Sequence, residues 1–348
     1  MSLFDINTIT RENVKKLKPY SSARDEFEDF NTAEMVFLDA NENPYENGVN
    51  RYPDPQQQNV KVLLADRNEL KTSQILLGNG SDEVLDLLFR AFCEPQKDNV
   101  ITLPPTYGMY GVLANINNVE NREVLLNSNF QPQVEQILTT ADVNSKILFL
   151  CSPNNPSGNT FSETAVTELL EKFIGLVVID EAYIDFTNKA SWLEKLNEFP
   201  NLVITQTLSK AYGMAGIRLG ICYASEAVIS VLNKIKPPYN VNELTQLKAV
   251  ERLNNQEKIN DEIASIIEQR GLLLNVLSEV KFVQIIYPSE ANFVLVKVDD
   301  ANRRYNELID IGIVIRNRTT QPLCENCLRF TIGTPDENQR LIQALKSL

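Results

Sequence analysis

Lys210, Asp180, Tyr183 and Asn155 offer four different chemistries: an amine, a carboxylate, a phenol and an amide. An amine that is neutral near pH 7 can attack a carbonyl, and a carboxylate can hold a proton on a basic nitrogen. Each residue follows or ends a short apolar run. KILFLC (Lys146–Cys151) empties into SPNNPSG, GLVVID (Gly175–Asp180) into EAY, and Leu202–Thr205 into a segment carrying Thr207, Ser209 and Lys210. The runs have the length of buried strands, and their ends fall about thirty residues apart, as successive βαβ units require. They read as neighbouring parallel strands. Ligands of open α/β sheets collect outside the carboxyl ends of such strands, so Asn155, Asp180 with Tyr183, and Ser209 with Lys210 are expected in one crevice. Together these groups suit a pyridine cofactor with an aldehyde, a hydroxyl and a ring nitrogen.

Other segments add candidates. In QILLG-NGSDEVLDLLFRAF a strand (Gln74–Gly78) turns into a helix with apolar residues at 84, 85, 88, 91 and 92. Ser81 reads as its N-cap. Free N–H groups at a helix start suit a phosphate, so the backbone amides of Ser81 and Asp82 are candidates, with Gly80 permitting close approach and the acidic side chains expected to point away. After a strand at Val100–Leu103, PPTYGMY offers Tyr107, either stacked on a flat ligand or packed in the core. MVFLD (Met35–Asp39) reads as a strand before ANENPY, where Asn41 binds a ligand or closes a turn. NRYPDP is a proline-bounded loop holding Tyr52.

Beyond Pro237 and Pro238 the chain changes character. A charged helical run, Asn255 to Glu279, leads to strands at 281–287 and 292–298, a helix at 301–311, strands at 313–316 and 328–332, and a helix from Pro335. Arginine within a strand is uncommon unless its charge is answered, which makes Arg329 a candidate for a buried anion site. Arg316 binds an anion too, or sits in an exposed salt bridge.

Bulk properties narrow the function. The 348 residues carry 33 basic and 46 acidic side chains, a net charge of −13, which argues against nucleic acid or an anionic membrane as the main partner. No stretch approaches the roughly 18 apolar residues of a membrane span, and MSLFDINTITREN lacks the apolar centre of a secretory signal, so a cytoplasmic location is expected. Five scattered cysteines do not form a disulfide framework, and the lone CxxC of Cys324 and Cys327 has no partner pair for a metal. The chain contains no histidine, which removes imidazole base catalysis and leaves proton transfer to lysine, tyrosine or carboxylates.

SPNNPSG, DEAY and SKAYGMAGIRLG resemble the signature segments of fold-type I pyridoxal-phosphate aminotransferases, and the fuller pattern, from KPYSSAR to LRFTIGT, is similar to the histidinol-phosphate aminotransferases. The resemblance implies an α/β large domain over residues 30–245, with a mostly parallel sheet flanked by helices, and a smaller α+β domain formed by residues 246–348 with an N-terminal arm, 1–29. It implies pyridoxal 5'-phosphate attached through Lys210, with Asp180 on the ring nitrogen and Asn155 and Tyr183 on the ring hydroxyl oxygen. Tyr107 would stack on the ring, while Ser81, Asp82, Thr207, Ser209 and Arg218 would hold the phosphate. Tyr52 would reach the cofactor phosphate of a second subunit, making the active unit a homodimer. Tyr20, Asn41, Arg329 and Arg316 would hold substrate, Arg316 by its phosphate. The implied reaction moves an amino group from L-histidinol phosphate to 2-oxoglutarate, yielding glutamate. The alternatives are an aromatic or aspartate aminotransferase, a phosphothreonine decarboxylase of the same fold, and an inactive regulatory or scaffold relative.

Overall fold

The three apolar runs form adjacent parallel strands in the middle of a seven-stranded sheet. This is a computed structural model, and it describes residues 4–18 and 36–348. The strands are β1 (Ile75–Asn79), β2 (Asn99–Thr102), β3 (Glu120–Glu123), β4 (Ser145–Cys151), β5 (Leu176–Asp180), β6 (Leu202–Thr207) and β7 (Leu219–Ala224). Their order is β1-β7-β6-β5-β4-β2-β3. β4, β5 and β6 pair in parallel, with Cys151 opposite Asp180 and Asp180 opposite Thr205, so β4 and β5 end level and β6 runs on to Thr207. β7 alone returns antiparallel, against both β6 and β1.

The central strands are apolar on both faces because both faces are covered. Leu148, Leu150, Val177 and Ile179 enter one core, and Ile147, Phe149, Val178 and Val203 enter another on the opposite side. The helix Gly80–Phe92 buries Val84, Leu85, Leu88, Ala91 and Phe92, as its spacing predicts. Its N-cap is Asn79 rather than Ser81, whose place is already within the first turn. β3 is the exception in composition. It reads ENRE, lies at the sheet edge and keeps its outer residues exposed.

A second, antiparallel sheet has the order β10-β11-β9-β8, from β8 (Val283–Ile286), β9 (Phe293–Val298), β10 (Arg316–Asn317) and β11 (Cys327–Thr331). The charged helical run becomes the helix Gln256–Leu277, which packs Leu273 and Leu277 with Val294, Val296 and Phe330 in a separate core. The small sheet's other face, through Leu295 and Cys327, joins the core of the large sheet. The helix Glu243–Leu253 spans the expected domain boundary at 245/246 and packs Ala249 and Leu253 on the large-sheet side.

Two expectations about strands change. Residues 36–39 form no strand, and Val36 and Leu38 are exposed, with no core surface beneath them to reward an extended, alternating segment. β10 is only two residues long and begins at Arg316, where the strand was expected to end. All five cysteines are unpaired and buried. No described helix is long and apolar enough to cross a membrane.

Candidate active site

Asp180 closes β5 and is 3 % exposed. Burial pushes its carboxyl above the usual range, while hydrogen bonds from the Tyr110 hydroxyl (2.8 Å) and the Ala182 N–H (3.2 Å) favour the charged form and fix its direction. Tyr110 is fully buried and stacks on Phe149 with ring centroids 4.7 Å apart. It is the second tyrosine of PPTYGMY. The sequence singled out the first, Tyr107, to stack on a flat ligand, and gave no sign that the second reaches the carboxylate.

Lys210 leaves the hairpin between β6 and β7, with its Nζ 5.8 Å from the centroid of the Tyr183 ring. Its pKa is lowered, first by burial and then by the charge of Arg329, while Asp180 acts in the opposite sense. Tyr183 packs edge-to-face on Phe293, which anchors the phenol to the small sheet. Asn155 accepts a hydrogen bond on Oδ1 from Arg329 Nη1. That commits the amide oxygen and leaves its N–H2 available to a ligand oxygen.

The helix start is built against the Lys210 hairpin. Gly80 has φ +75° and donates its N–H to the Arg218 carbonyl at 2.9 Å. A Cβ there would lie 2.6 Å from Arg218 Nη2, and a Cβ at Gly220 would collide with the backbone of Gly80 and Ser81. Arg218 itself holds a left-handed φ of 57°. The first-turn amides of Ser81 and Asp82 therefore open on the same pocket as Arg218, Thr207, Ser209 and Lys210. Thr207 is tied locally, its hydroxyl donating to Leu219 O (3.3 Å) and accepting from Ser209 N (3.1 Å).

One expectation here is corrected. Glu83 turns away, accepting from Asn79 N and Asn240 Nδ2, but the Asp82 carboxylate faces the pocket. It is held by the Tyr107 hydroxyl (3.0 Å) and sits 3.7 Å from Arg218 Nη2. A carboxylate beside an unfilled cation lowers the cost of that cation, which is the physical reason it turns inward.

Thus Ser81, Asp82, Tyr107, Asn155, Asp180, Tyr183, Thr207, Ser209, Lys210 and Arg218 line one pocket. Arg329 reaches it through Asn155, and Arg316 lies opposite Arg329 across β10 and β11, exposed. Asn41 and Tyr52 do not line it. They border a separate open depression with Asn242 and Leu244, where Tyr52 stacks on Tyr239 at 4.6 Å. Tyr20 lies outside the described residues.

A strand-end crevice holding a buried carboxylate, a lysine and a helix N-terminus defines a cofactor-dependent α/β enzyme. The family model for aminotransferase class I and II matches residues 26–345, and the chain belongs to that family. It is 76% identical to the histidinol-phosphate aminotransferase of Flavobacterium johnsoniae over the full length of both chains. It is 51% identical to that of Bacteroides fragilis over 98% of each chain. Among solved structures, the histidinol-phosphate aminotransferase from Clostridium acetobutylicum has the same fold, with a TM-score of 0.80 at 24% identity over 86% of this chain and 90% of that one. The enzyme from Sinorhizobium meliloti, in complex with pyridoxal-5'-phosphate, gives 0.78 at 23% identity over 85% and 83%. The donor set fits that cofactor: an acid for the ring nitrogen, an amide and a phenol for the ring oxygen, an amine for the aldehyde, and amides with an arginine for the phosphate.

Proposed function

We propose that this chain transfers the amino group of L-histidinol phosphate to 2-oxoglutarate, giving imidazole acetol phosphate and L-glutamate, with pyridoxal 5'-phosphate as cofactor, as a step of histidine biosynthesis. The observation that carries the reading is the convergence of Lys210, Asp180, Asn155 and Tyr183 on one pocket, from beyond the carboxyl ends of adjacent parallel strands. Bound cofactor supplies the electron sink that draws density from the bond broken at the substrate's amine carbon.

The protein positions that chemistry and moves the proton. Asp180, sheltered from water and oriented by Tyr110, keeps a proton on the ring nitrogen, because a cation against a buried carboxylate relieves the cost of both charges. Lys210 would hold the cofactor through its Nζ, and the same amine, when free, would move the proton at the substrate's amine carbon. Burial and Arg329 raise the fraction of its amine that is neutral and able to do so. Asn155 and Tyr183 bond the ring oxygen, and the Tyr107 ring covers a face. The Ser81 and Asp82 amides hold the phosphate with Thr207, Ser209 and Arg218. Arg218, 3.7 Å from the Asp82 carboxylate, would also answer that phosphate.

Arg329 takes the anionic end of the substrate nearest the amine, and Arg316 the phosphate at the rim. Asn41 and Tyr20 complete the substrate contacts. Tyr52 serves the cofactor phosphate of a second subunit, so the working unit is a homodimer. The exposed apolar side chains of Val36 (83 %), Leu38 (86 %) and Tyr45 (81 %), close to Tyr52 in sequence, support burial of this segment against another chain. The cofactor belongs to the large domain, 30–245; residues 246–348 with the arm 1–29 form the small domain that closes over it, and the enzyme works in the cytoplasm.

A panel of amino donors tests the reading. Purified holoenzyme is expected to show a visible absorption band that shifts with histidinol phosphate and reforms with 2-oxoglutarate. A colourless protein after cofactor soaking would favour a scaffold. Carbon dioxide release from phosphothreonine, or faster turnover of aromatic amines or aspartate, would assign one of the other enzymes.

A further inference from the structure

Arg316 and Arg329 face one another in the antiparallel register of β10 and β11, and Arg318 follows with its N–H bonded to Cys327 O at 2.8 Å. Cross-strand partners share a face of a sheet, and so do residues two apart. Three guanidinium groups therefore leave the same face together. Like charges set opposite each other destabilise a sheet unless something answers them. Elsewhere in this small domain adjacent arginines are answered, since Asp299 pairs with both Arg303 and Arg304. Among the described residues no carboxylate pairs with Arg316, Arg318 or Arg329.

The donors of this group are also left over. Arg318 Nε and Arg329 Nε are buried without a hydrogen-bond partner, and so is the Thr319 hydroxyl; Gln321 Oε1, in the same loop after β10, is an unpaired acceptor and has no part in binding an anion. Buried donors in a native fold are otherwise almost always paired. Gln321 and Tyr107 line one open cavity, and Tyr107 also lines the pocket of Lys210. Arg329 already spends Nη1 on Asn155 and rests 5.0 Å over the Phe293 ring, which fixes where the remaining donors point from. Burial and the neighbouring arginines lower the pKa of Arg329 to about 10 and lower that of Arg318 as well, as expected for cations packed without an anion.

We infer that Arg318 is a specificity-determining residue, supplying beside Arg316 the second positive charge that selects a dianionic phosphate monoester over the singly charged carboxylate that Arg329 takes. The inference rests on the function proposed above, in which one pocket must accept a phosphorylated amine in one half of the cycle and, in the other, a 2-oxo acid that leaves as an amino acid. One guanidinium answers a carboxylate. Two adjacent guanidinium groups, with the Thr319 hydroxyl beside them, match a group with two charges and three acceptor oxygens.

The test is equilibrium titration of the holoenzyme with histidinol phosphate, histidinol, glutamate and inorganic phosphate, in wild type, Arg318→Gln and Arg318→Lys. Arg318→Gln is expected to weaken histidinol phosphate by about tenfold and leave histidinol and glutamate within about twofold, with Arg318→Lys in between. In wild type, affinity for histidinol phosphate should rise as the phosphate loses its second proton; in Arg318→Gln that rise should flatten. Without ligand, Arg318→Gln should melt no lower than wild type, and inorganic phosphate should raise its melting temperature less. Equal weakening of all amines, or no weakening of any, overturns the inference. If wild type fails to prefer histidinol phosphate to histidinol, the proposed function falls; if that preference survives intact in Arg318→Gln, only the role of Arg318 does.

Discussion

Lys210 sits between two influences, the burial and Arg329 charge that make its amine neutral and the Asp180 charge that keeps it protonated. Lys210→Ala is expected to abolish transamination while cofactor still binds through its phosphate, which activity assays and equilibrium dialysis will separate. Arg329→Met removes a cation that disfavours the protonated amine, so the pKa of Lys210 should rise. The pH profile of cofactor attachment, followed by absorption, should move to higher pH. Asp180→Ala should lower kcat by at least about a hundredfold while the folded protein persists, checked by kinetics beside a melting curve. Lys210, Asp180, Asn155 and Tyr183 were legible because each is a polar residue placed where an apolar run stops. Tyr110 was not, because its role depends on how the helix Met109–Ile116 turns a ring under the end of β5. The inward turn of Asp82 was also hidden, since a sequence does not show that Tyr107 and Arg218 wait for it.

Between β5 and the turn after it, neighbouring acids have different fates. Glu181 is buried and accepts from Ser191 Oγ (2.6 Å), Trp192 N (2.8 Å) and Gln206 Nε2 (3.0 Å), yet burial pushes its pKa to about 7. A folded pKa above the unfolded value of 4.5 favours the neutral acid in the native state. Its contribution to stability is therefore fullest below the unfolded pKa and is lost as pH rises toward about 7. Glu181→Gln removes this dependence. Denaturant unfolding from about pH 5 to about pH 8 should show wild type losing a few kcal/mol relative to the variant. Gly220→Ala tests the contact between β7 and the helix start. Overpacking of about 1–3 kcal/mol should displace the Ser81 and Asp82 amides and weaken cofactor retention, although no ligand group is removed. Strands β4, β5 and β6 were readable because parallel strands covered on both faces are continuously apolar. The antiparallel return of β7 was not, because direction is set by the length of the Lys210 hairpin and not by composition. The expected strand at 35–39 failed for a related reason: alternation in MVFLD needs a surface to face, and Val36 and Leu38, which would share one face, are both exposed among the described residues.

For the whole molecule, a homodimer with shared sites makes a prediction that no single-chain reading would. Lys210→Ala and Tyr52→Phe subunits, each impaired alone, should regain part of the activity when mixed and allowed to exchange, since a heterodimer then holds one site with both residues intact. Activity assays after mixing check this, and no recovery would place each site within one chain. The division into a large and a small unit could be read from the change in character after Pro238. The tie between them could not, since Leu295 and Cys327 join the core of the large sheet only once the small sheet has folded.

The polar edge strand sets a limit on how copies of this chain can meet. ENRE at β3 is polar throughout, with Glu120 paired to Arg122 and both glutamates exposed, so a second sheet approaching that border meets charge and gains no apolar contact. The net charge of −13 adds repulsion between copies, which opposes stacking of sheets along that border.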